Sequence, residues 1–569
     1  MEPFNHNKFL GYVSEVTPQF VKIQFPTANL LQSFYHDGNI YAGGNVGCFV
    51  VIEGAEYGFL GRIIELNLPQ GERTEITEKT IHETNTDFHP IGKIELLVVF
   101  NVYNPLKIEK TISKYPAIGS KIYSCSDEQI SNYIATFGSK SDNQGSEPFS
   151  QIGKLTSNNA ICNISLNSLF GRHCAVVGTT GGGKSWTVAK LLEMMNEHTS
   201  NNIIILIDAT GEYANTSDEV TSVELGDGEY IFDYTRLTID ELYYLLKPSS
   251  KTQVPKLMDA IRSLKIAKLS SGNNLEGIIE NGMVRKSGNN KRPYEAFYYR
   301  NITAIEDKYC DFNFELLPRQ ITSECIWDTD KNDVNKWGGR NETDVSNCIS
   351  LISRVNNLLC TEEYNKIFGF RKSALNAPKD LIHVIDDYIN NKKGILRFDF
   401  SNVSFDYQVR EILVNAIGKY LLNNAREGKF KNDPVVIFID EAHQFLNKSI
   451  KDEYFDAKPL DSFELISKEA RKYGLFLCIA TQMPRDIPLG TLSQMGTFIV
   501  HRLINDQDKK AIESAASSAN KNILSFLPIL GEGEALLVGV DFPMPLLIKI
   551  DAPNTKPNSQ TPRFTIKDK

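Results

Sequence analysis

The segment Val176-Val-Gly-Thr-Thr-Gly-Gly-Gly-Lys-Ser185 follows a short apolar run and precedes a helical pattern that extends from Trp186 to His198. Its spacing is G-x-x-x-x-G-K-[ST], in which glycines bend the chain so that backbone amides point inward around phosphate oxygens. A strand, a glycine-rich loop and a helix in this order are typical of phosphate-binding α/β domains. The segment therefore predicts the first strand, loop and helix of such a domain.

The loop supplies the candidate residues for nucleotide binding. Lys184 is expected to reach the β- and γ-phosphates of ATP, and the Ser185 hydroxyl to bind the Mg²⁺ that accompanies ATP. The positive end of the following helix adds to the attraction for phosphate. A glycine-rich turn without a ligand is the alternative, which the flanking strand and helix disfavour. The candidates are Gly178, Thr179, Thr180, Gly181, Gly182, Gly183, Lys184, Ser185 and Trp186.

A second apolar strand, Val435 to Ile439, ends in the acids Asp440 and Glu441. A buried strand of this kind brings its last residues to the sheet edge where the phosphate loop lies. Asp440 is expected to hold the magnesium shell, and Glu441 to orient and deprotonate the attacking water. The pair indicates ATP hydrolysis, with a turn that carries two solvated acids as the alternative.

Two further strands are expected to reach the same edge. The strand Leu475 to Ala480 precedes Gln482, whose amide is suited to sensing the γ-phosphate or water by hydrogen bonding. The strand Ile203 to Ile207 precedes Asp208 and Glu212. These two acids are interpreted either as neighbours of the magnesium site or as turn formers.

A helical pattern from Asp461 to Tyr473 ends at Gly474, a residue typical of helix C-termini. This helix carries Arg471 on a charged face. A guanidinium there suits an arginine finger that acts on the nucleotide of a neighbouring subunit. A solvated surface charge is an equally good interpretation from the residues alone.

The chain has 569 residues, more than one ordinary core contains, so two or three domains are expected. Residues 1–135 hold short alternating strands broken by Gly, Pro and Asn, which predict a small β-barrel or sandwich. Residues 136–150 are rich in Ser, Gly and Asn, and they predict a linker. Residues 553–569, rich in Pro, Lys, Asn and Ser, predict a flexible tail.

The rest of the chain predicts an α/β core in two parts, 151–235 and 391–552, because apolar strands alternate there with helices. The intervening residues 236–390 predict a helical insertion. Within it, Thr238 and Glu241 form a capping box that begins a helix, and a second helix is expected from Val345 to Leu359. The predicted core strands are Cys174–Val177, Ile203–Ile207, Ile395–Phe398, Val435–Ile439, Leu475–Ala480, Phe498–His501 and Ala535–Val540.

Composition limits the partners. The net charge is −9, so the molecule as a whole repels polyanions, and any contact with nucleic acid has to be local. The nine cysteines form no CxxC pair, which predicts reduced thiols and no metal cluster. No apolar run approaches the length of a membrane span, so the expected location is the cytoplasm and no membrane partner is expected.

Two segments are candidates for a nucleic-acid contact. The segment Arg285 to Arg300 interleaves basic and aromatic residues, although a solvated hairpin or an interface with a neighbour is the favoured interpretation. Lys448, Lys451 and Lys458, in the loop after Glu441, are the alternative.

The blocks GRHCAVVGTTGGGKS, IDATGEY, VVIFIDEAHQFL, SKEARKYGLFLCIATQMP, LSQMGTFIVHRL and LGEGEALLVG occur in an order that resembles the HerA/FtsK group of ATPases, and specifically the HerA family. Residues 1–135 are similar to the N-terminal barrel of that family, called the HAS-barrel. The resemblance, to a bacterial member, covers most of the chain. It implies an α/β fold with a RecA-like P-loop ATPase core, an N-terminal β-barrel and an inserted helical subdomain.

The resemblance also implies a function. Family members are hexameric rings that use ATP and Mg²⁺ to pump double-stranded DNA, with a partner nuclease docked on the barrel face. It assigns catalytic roles to Lys184, Glu441, Gln482 and Arg471, the last acting across subunits, and a magnesium role to Ser185 and Asp440. Some bacterial members instead accompany sirtuin-like or nuclease-like effectors in anti-phage defence, and the sequence leaves both settings open.

Two alternatives accompany the motor hypothesis. One is a ring scaffold that assembles and regulates an effector enzyme, with ATP use secondary. The other is a secretion ATPase of the conjugation type, which the absence of a membrane span and the predicted barrel disfavour.

Overall fold

The computed structural model describes residues 4–559, except 37–38, 42, 71, 73–87, 110–113, 137–147, 158–159, 199–202, 217–218, 271–274, 276, 372–376, 393, 406–407, 447–459, 517–520 and 543. Most of the predicted linker, the three lysines Lys448, Lys451 and Lys458, and the end of the predicted tail lie outside the described residues. The chain divides into two compact units. The first contains residues 1–202 and 476–569, and the second contains residues 203–475.

The strands are numbered along the chain. They are β1 Phe9–Val16, β2 Val21–Gln24, β3 Phe34–His36, β4 Asn39–Tyr41, β5 Phe49–Ile52, β6 Tyr57–Asn67, β7 Ile91–Asn101, β8 Asn104–Glu109, β9 Lys121–Ser124, β10 Phe149–Leu155, β11 Ile161–Ser165, β12 Cys174–Val177, β13 Ile203–Asp208, β14 Val220–Glu224, β15 Tyr230–Ile231, β16 Ile279–Glu280, β17 Met283–Val284, β18 Lys379–Asp380, β19 Ile395–Asp399, β20 Val435–Ile439, β21 Leu475–Thr481, β22 Thr497–Val500, β23 Glu534–Gly539 and β24 Leu546–Ile550.

The α-helices are numbered in the same way. They are α1 Asp127–Thr136, α2 Leu166–Phe170, α3 Lys184–His198, α4 Ile239–Leu246, α5 Gln253–Leu269, α6 Lys291–Arg300, α7 Ile302–Ile305, α8 Leu317–Glu324, α9 Glu342–Cys360, α10 Glu362–Phe368, α11 Leu381–Asn391, α12 Val409–Arg426, α13 Ser462–Glu469, α14 Leu489–Leu492, α15 Asp506–Ala515 and α16 Lys521–Leu524.

In the first unit, the N-terminal strands form a closed barrel in the order β2-β1-β9-β5-β6-β7-β8, and pairing between β2 and β7 closes it. Alternation along these strands places apolar side chains such as Val21, Ile23 and Ile94 inside, where they are fully buried. The closed sheet confirms the barrel that the sequence predicted.

The first unit also contains strands in the order β11-β10-β24-β23-β22-β12-β21. β12 lies between β21 and β22 and runs parallel to both. From β22 outward the neighbours β23, β24, β10 and β11 are antiparallel. The sheet is therefore parallel around β12 and antiparallel at this end, where short connections allow the chain to turn back.

In the second unit, four parallel strands lie in the order β20-β13-β19-β14. The apolar runs of β13 and β20 are buried along their whole length, as expected of strands covered on both faces. All seven predicted core strands are present in the two units, two with the predicted ends and five with ends that differ by one residue.

The insertion in the second unit is helical, as predicted. Thr238 and Glu241 form the expected capping box at the start of α4. Helix α9 contains the predicted segment and buries Cys348, Leu351 and Val355. Ile349, in the same helix, is 57% exposed and lies outside this buried face.

Part of the basic and aromatic segment 285–300 belongs to the core of the insertion. Lys286 is buried, and its Nζ lies 2.6 Å from Glu324 and 4.6 Å from the ring centre of Tyr294. Ser263 and Gln320 also donate hydrogen bonds to Glu324, which satisfies the buried carboxylate. Lys286 and Tyr294 are therefore not available to nucleic acid.

No α-helix in the part of the chain that the structure describes combines the length and the apolarity that a bilayer crossing requires. The same residues contain no cluster of three or more His, Cys, Asp or Glu side chains that could hold a metal ion on its own. All nine cysteines are described and are free thiols, and only Cys360 is exposed.

Candidate nucleotide site

The glycine-rich loop joins β12 to α3 in the first unit. Gly181 and Gly183 have φ angles of 74° and 103°, which residues with a Cβ atom rarely adopt. These two residues turn the chain back before α3 begins at Lys184. A loop of this shape at the positive end of a helix suits a polyphosphate.

The loop is packed against two neighbouring segments of the same unit. A Cβ at Gly178 would lie 2.6 Å from the Cβ of His501, and one at Gly183 would lie 3.0 Å from the Cα of Gly533. The amide of Gly533 also donates to the carbonyl of Gly182 at 3.3 Å. Close packing therefore requires glycine at position 178, and close packing together with conformation requires it at position 183.

Lys184 is 5% exposed, and Ser185 and Trp186 follow it in the first turn of α3. The C-terminal segment reaches this helix, since the ammonium of Lys556 lies 5.5 Å from the ring centre of Trp186. The backbone amide of Asn554 donates to Glu193 at 2.6 Å. The first residues of the predicted tail are thus in contact with the helix that follows the loop.

Gln482 lies beside the loop. The hydroxyl of Thr180 donates to Oε1 of Gln482 at 2.5 Å, and the amide of Gly178 donates to the carbonyl of Thr481 at 3.3 Å. β21 runs parallel to β12, so its carboxyl end arrives where the loop begins. The structure therefore brings together the two sequence segments that were predicted to meet at this edge.

His501 is the residue at this site that the sequence analysis missed. It is fully buried, its Nδ1 donates to the carbonyl of Glu534 at 2.9 Å, and its Nε2 accepts from the hydroxyl of Thr187 at 2.9 Å. Burial lowers the pKa of His501 to about 4, so the ring is neutral at neutral pH. A histidine that ends a buried strand at the edge of the phosphate loop was the available signal.

Asp440 and Glu441 follow β20 in the second unit, and both are buried. Glu441 has a φ of 46°, a left-handed conformation that is uncommon for a residue other than glycine. Its Oε2 lies 3.2 Å from Nδ1 of His443. Backbone strain of this kind is concentrated at functional sites.

Asp208 acts as a turn former. Its two carboxylate oxygens accept backbone hydrogen bonds from Thr210, Gly211, Glu212 and Tyr213, the first four residues that can turn back toward it. Nε of Arg397 also donates to it at 2.7 Å. The carboxylate is therefore fully engaged in shaping its own loop. By contrast, Oε2 of Glu212 is buried without a hydrogen-bond partner among the described residues.

Arg471 lies in a short 3₁₀ turn, Ala470–Tyr473, which continues α13 and ends at Gly474 with a φ of 81°. Its side chain is exposed and makes no hydrogen bond or ion pair within the described residues. The guanidinium is thus positioned on the surface of the second unit and is uncommitted in a single chain.

The residues fit ATP and Mg²⁺. The positive φ angles at Gly181 and Gly183 open the backbone cradle that phosphates need. The Ser185 hydroxyl and the Asp440 carboxylate are oxygen ligands of the kind that Mg²⁺ prefers. The first unit groups the loop with Gln482 and His501, and the second unit contains Asp440, Glu441 and Arg471.

Comparison with known proteins identifies the family. Residues 150–424 match the model of the helicase HerA central domain, and residues 424–556 match the helicase HerA-like C-terminal model. The chain is 25% identical over 459 residues to the DNA double-strand break repair helicase HerA of Sulfolobus acidocaldarius, covering 79% of this chain and 76% of that protein. It is 23% identical over 475 residues to a probable helicase of Methanocaldococcus jannaschii, covering 82% and 78%.

Among solved structures, the chain is similar to VirB4 of Thermoanaerobacter pseudethanolicus, with 15% identity, a TM-score of 0.41 and coverage of 72% of this chain and 98% of that one. It is also similar to the bacterial conjugative coupling protein TrwB, with 12% identity, a TM-score of 0.42 and coverage of 72% and 92%. The two HerA models together span residues 150–556, which include the phosphate loop, Asp440, Glu441 and Gln482. The chain therefore belongs to the HerA family of P-loop ATPases.

Proposed function

We propose that this chain is the ATP-hydrolysing subunit of a hexameric ring that moves double-stranded DNA. The observation that carries the proposal is the hydrogen bond between Thr180 and Gln482, because it fixes a polar side chain beside the phosphate cradle. A binding site alone does not need such a group, whereas hydrolysis does, since the γ-phosphate and water must be held in place.

The roles of the residues follow from their chemistry. Residues Gly178 to Trp186 bind the nucleotide, with the Lys184 ammonium on the β- and γ-phosphates. Ser185 and Asp440 hold Mg²⁺, which when bound neutralises charge on the phosphate oxygens. Gln482 holds the γ-phosphate or the attacking water by hydrogen bonding.

Glu441 is the proposed general base. A carboxylate is an efficient general base when it lies beside the attacking water, and Nδ1 of His443 lies 3.2 Å from Oε2 of Glu441, close enough to orient it. The left-handed backbone at Glu441 directs its side chain away from the path that a helical residue would take.

Arg471 is proposed to act on the nucleotide of a neighbouring subunit. Support comes from its exposure and its lack of a partner within the described residues. An arginine supplied across an interface would make turnover depend on assembly, as expected for a ring motor.

DNA and protein partners are also part of the proposal. The relatives from Sulfolobus acidocaldarius and Sulfurisphaera tokodaii are named DNA double-strand break repair helicases. We extend DNA translocation to this chain, together with a partner nuclease or a sirtuin-like effector that docks on the barrel. A net charge of −9 requires the DNA contact to be confined to a local basic surface such as a ring lumen.

ATP turnover of the full chain, measured with and without double-stranded DNA, tests the proposal. DNA should stimulate ATP turnover. The Glu441→Gln chain should lose ATP turnover and should still bind ATP. Sedimentation should give a hexamer. Turnover that is indifferent to DNA, and responds only to a partner protein, would overturn the motor in favour of a regulatory scaffold.

A further inference from the structure

A cavity of about 750 Å³ opens inside the second unit, and neither Asp440 nor Glu441 lines it. Its walls come from the capping residues of α4, the C-terminal end of α5, the segment 304–311 and the face of α12 from Ala416 to Glu427. The volume falls within the range of small-molecule sites. None of the residues assigned to ATP lines it.

The cavity concentrates positive charge in an acidic chain. Six basic side chains line it, against four carboxylates, although the whole chain has a net charge of −9. The basic residues are Arg236, Lys265, Lys268, Lys308, Lys419 and Arg426. Most of them are neutralised, for example Lys268 by Asp311 and Lys419 by Glu241. The case for a ligand therefore depends on the remaining two.

Lys265 is the first of these. It is only 3% exposed, and its Nζ donates to the backbone carbonyl of Asp307 at 2.5 Å. No carboxylate of the described residues lies within ion-pairing distance of this ammonium. Burial lowers the pKa of Lys265 below its usual value, although Asp307, Glu306 and Asp311 act in the opposite direction. A buried ammonium with spare N–H donors is expected to gain from an anionic ligand.

Lys308 is the second. Lys308 is the next residue after Asp307, whose carbonyl accepts the hydrogen bond from Lys265. Both lysines therefore belong to the same wall of the cavity. Its Nζ lies 5.0 Å from the ring centre of Tyr309, and it has no carboxylate partner in the described parts of the chain. The two lysines thus line the same cavity without an ion pair to a carboxylate of the described residues.

The remaining wall is aromatic. Phe232, Tyr309 and Tyr420 line the cavity, and the hydroxyl of Tyr420 is held by Asp386. Two lysines suit phosphate, and aromatic walls suit a planar ring. Inorganic phosphates and nucleotides both carry the phosphate group that the two lysines would bind.

One wall is connected to the helix that leads to Arg471. Oε1 of Glu241 accepts from Asn415 at 2.8 Å and pairs with Lys419 at 3.1 Å. Oδ1 of Asn415 in turn accepts from the amide of Ser462, the first residue of α13. A ligand that attracts Lys419 would therefore disturb a hydrogen-bond chain that ends at α13.

We propose that this cavity is a binding site for a small phosphorylated anion, held by Lys265 and Lys308, and that its occupancy alters ATP turnover through α13. The binding part of the proposal is independent of the proposed function. The effect on turnover rests on it.

Calorimetric titration of the full chain with inorganic pyrophosphate and, separately, with AMP tests the binding. A Lys184→Met variant weakens binding at the phosphate loop, so the heat that remains belongs to the cavity. Lys265→Met in that background should weaken the remaining binding at least tenfold, and Lys308→Met should do so severalfold. Lys331→Met, an exposed lysine outside the cavity, is the matched control. Absence of binding in the Lys184→Met chain, or binding that Lys265→Met and Lys308→Met leave unchanged, overturns the proposal.

Lys308→Met keeps the test valid if Lys265→Met does not fold, because Lys308 is exposed. A response to AMP that Tyr420→Ala removes identifies a nucleotide, whereas a response to pyrophosphate alone identifies free phosphate groups. ATP turnover should change at least twofold with the bound probe, and Lys265→Met should remove this change. A chain that binds the probe in the cavity and turns over ATP at an unchanged rate refutes the coupling. A chain without any ATP turnover refutes the proposed function and leaves the binding result intact.

Discussion

The hydroxyl of Thr187 and Nε2 of His501 lie 2.9 Å apart, although 314 residues separate them in the chain. Nδ1 of the same ring donates to the carbonyl of Glu534, so only a neutral imidazole with an acceptor at Nε2 satisfies both contacts. This pairing connects the helix of the phosphate loop to the ends of β22 and β23. The contacts that support the phosphate loop therefore depend on His501 being neutral.

The first prediction concerns pH. The pKa of His501 is lowered to about 4, below its unfolded value of 6.5, so the unfolded chain binds more protons between these pH values. The contribution of neutral His501 to the free energy of unfolding should be fully present above pH 6.5. It should be lost as pH decreases toward 4, which lowers the free energy of unfolding by on the order of 3 kcal/mol. Chemical denaturation of the full chain between pH 7 and pH 4.5 measures the slope.

The control is His501→Gln, which keeps a side chain of similar polarity but cannot titrate. Its unfolding midpoint should be lower at neutral pH, because Thr187 or Glu534 loses its partner at a cost of about 1–3 kcal/mol. Its pH dependence should be shallower than that of the unmodified chain. Equal slopes in the two chains would contradict the assignment of a buried neutral histidine.

The second prediction concerns Gly178→Ala. The added methyl group would lie 2.6 Å from the Cβ of His501, so the loop must shift away from its support. ATP affinity should fall at least tenfold, as measured by titration with a fluorescent ATP analogue. Gly339→Ala places its methyl group in open space and should bind ATP normally. Unchanged affinity in Gly178→Ala would show that the loop does not depend on this packing.

The third prediction concerns Gln482. Its removal in Gln482→Ala should lower kcat about 10- to 100-fold, with a smaller change in KM, because its hydrogen bond matters most in the transition state. Thr180→Val removes the donor that holds Gln482 and should lower kcat less. The double variant should be no worse than Gln482→Ala. Additive losses would mean that the two residues act independently.

The fourth prediction concerns Arg471. If Arg471 acts as proposed, Arg471→Ala should lower ATP turnover about 1000-fold or more, the loss typical of arginine fingers, and leave ATP binding and stability unchanged. Lys472→Ala, at the neighbouring exposed position, should retain turnover. Mixing Arg471→Ala with Lys184→Ala chains should restore part of the activity, since some interfaces then combine the loop of the first variant with the arginine of the second. No recovery in mixed assemblies would argue against action across subunits.

The fifth prediction concerns Asp208→Asn. The carboxylate accepts four backbone hydrogen bonds and pairs with Arg397, which is 2% exposed. The amide removes one of two carboxylates from a buried guanidinium that keeps its 2.8 Å contact with Asp399, so the expected cost is about 1.5–3 kcal/mol. Chemical denaturation measures the loss, and Asp328→Asn, at a position that is 93% exposed, should cost almost nothing. A stable Asp208→Asn chain with reduced turnover would instead indicate a role in hydrolysis.

The sequence by itself determined the local features. The phosphate loop, the seven core strands, the capping box of α4 and the barrel depend on short-range signals. These are glycine spacing, apolar runs long enough to be buried, and caps that hydrogen-bond within one turn. Such signals are complete within about ten residues, so the chain displays them before it folds.

Only the tertiary structure decided which residues support the site and which are buried. His501 has partners on α3 and β23, and Lys286 meets Glu324 across the insertion, so neither role is encoded in neighbouring residues. Asp208 forms its turn with neighbouring amides, but its ion pair with Arg397 joins it to a strand far along the chain. A side chain's charge and exposure depend on groups brought together by packing, and a linear pattern of residue types does not contain those contacts.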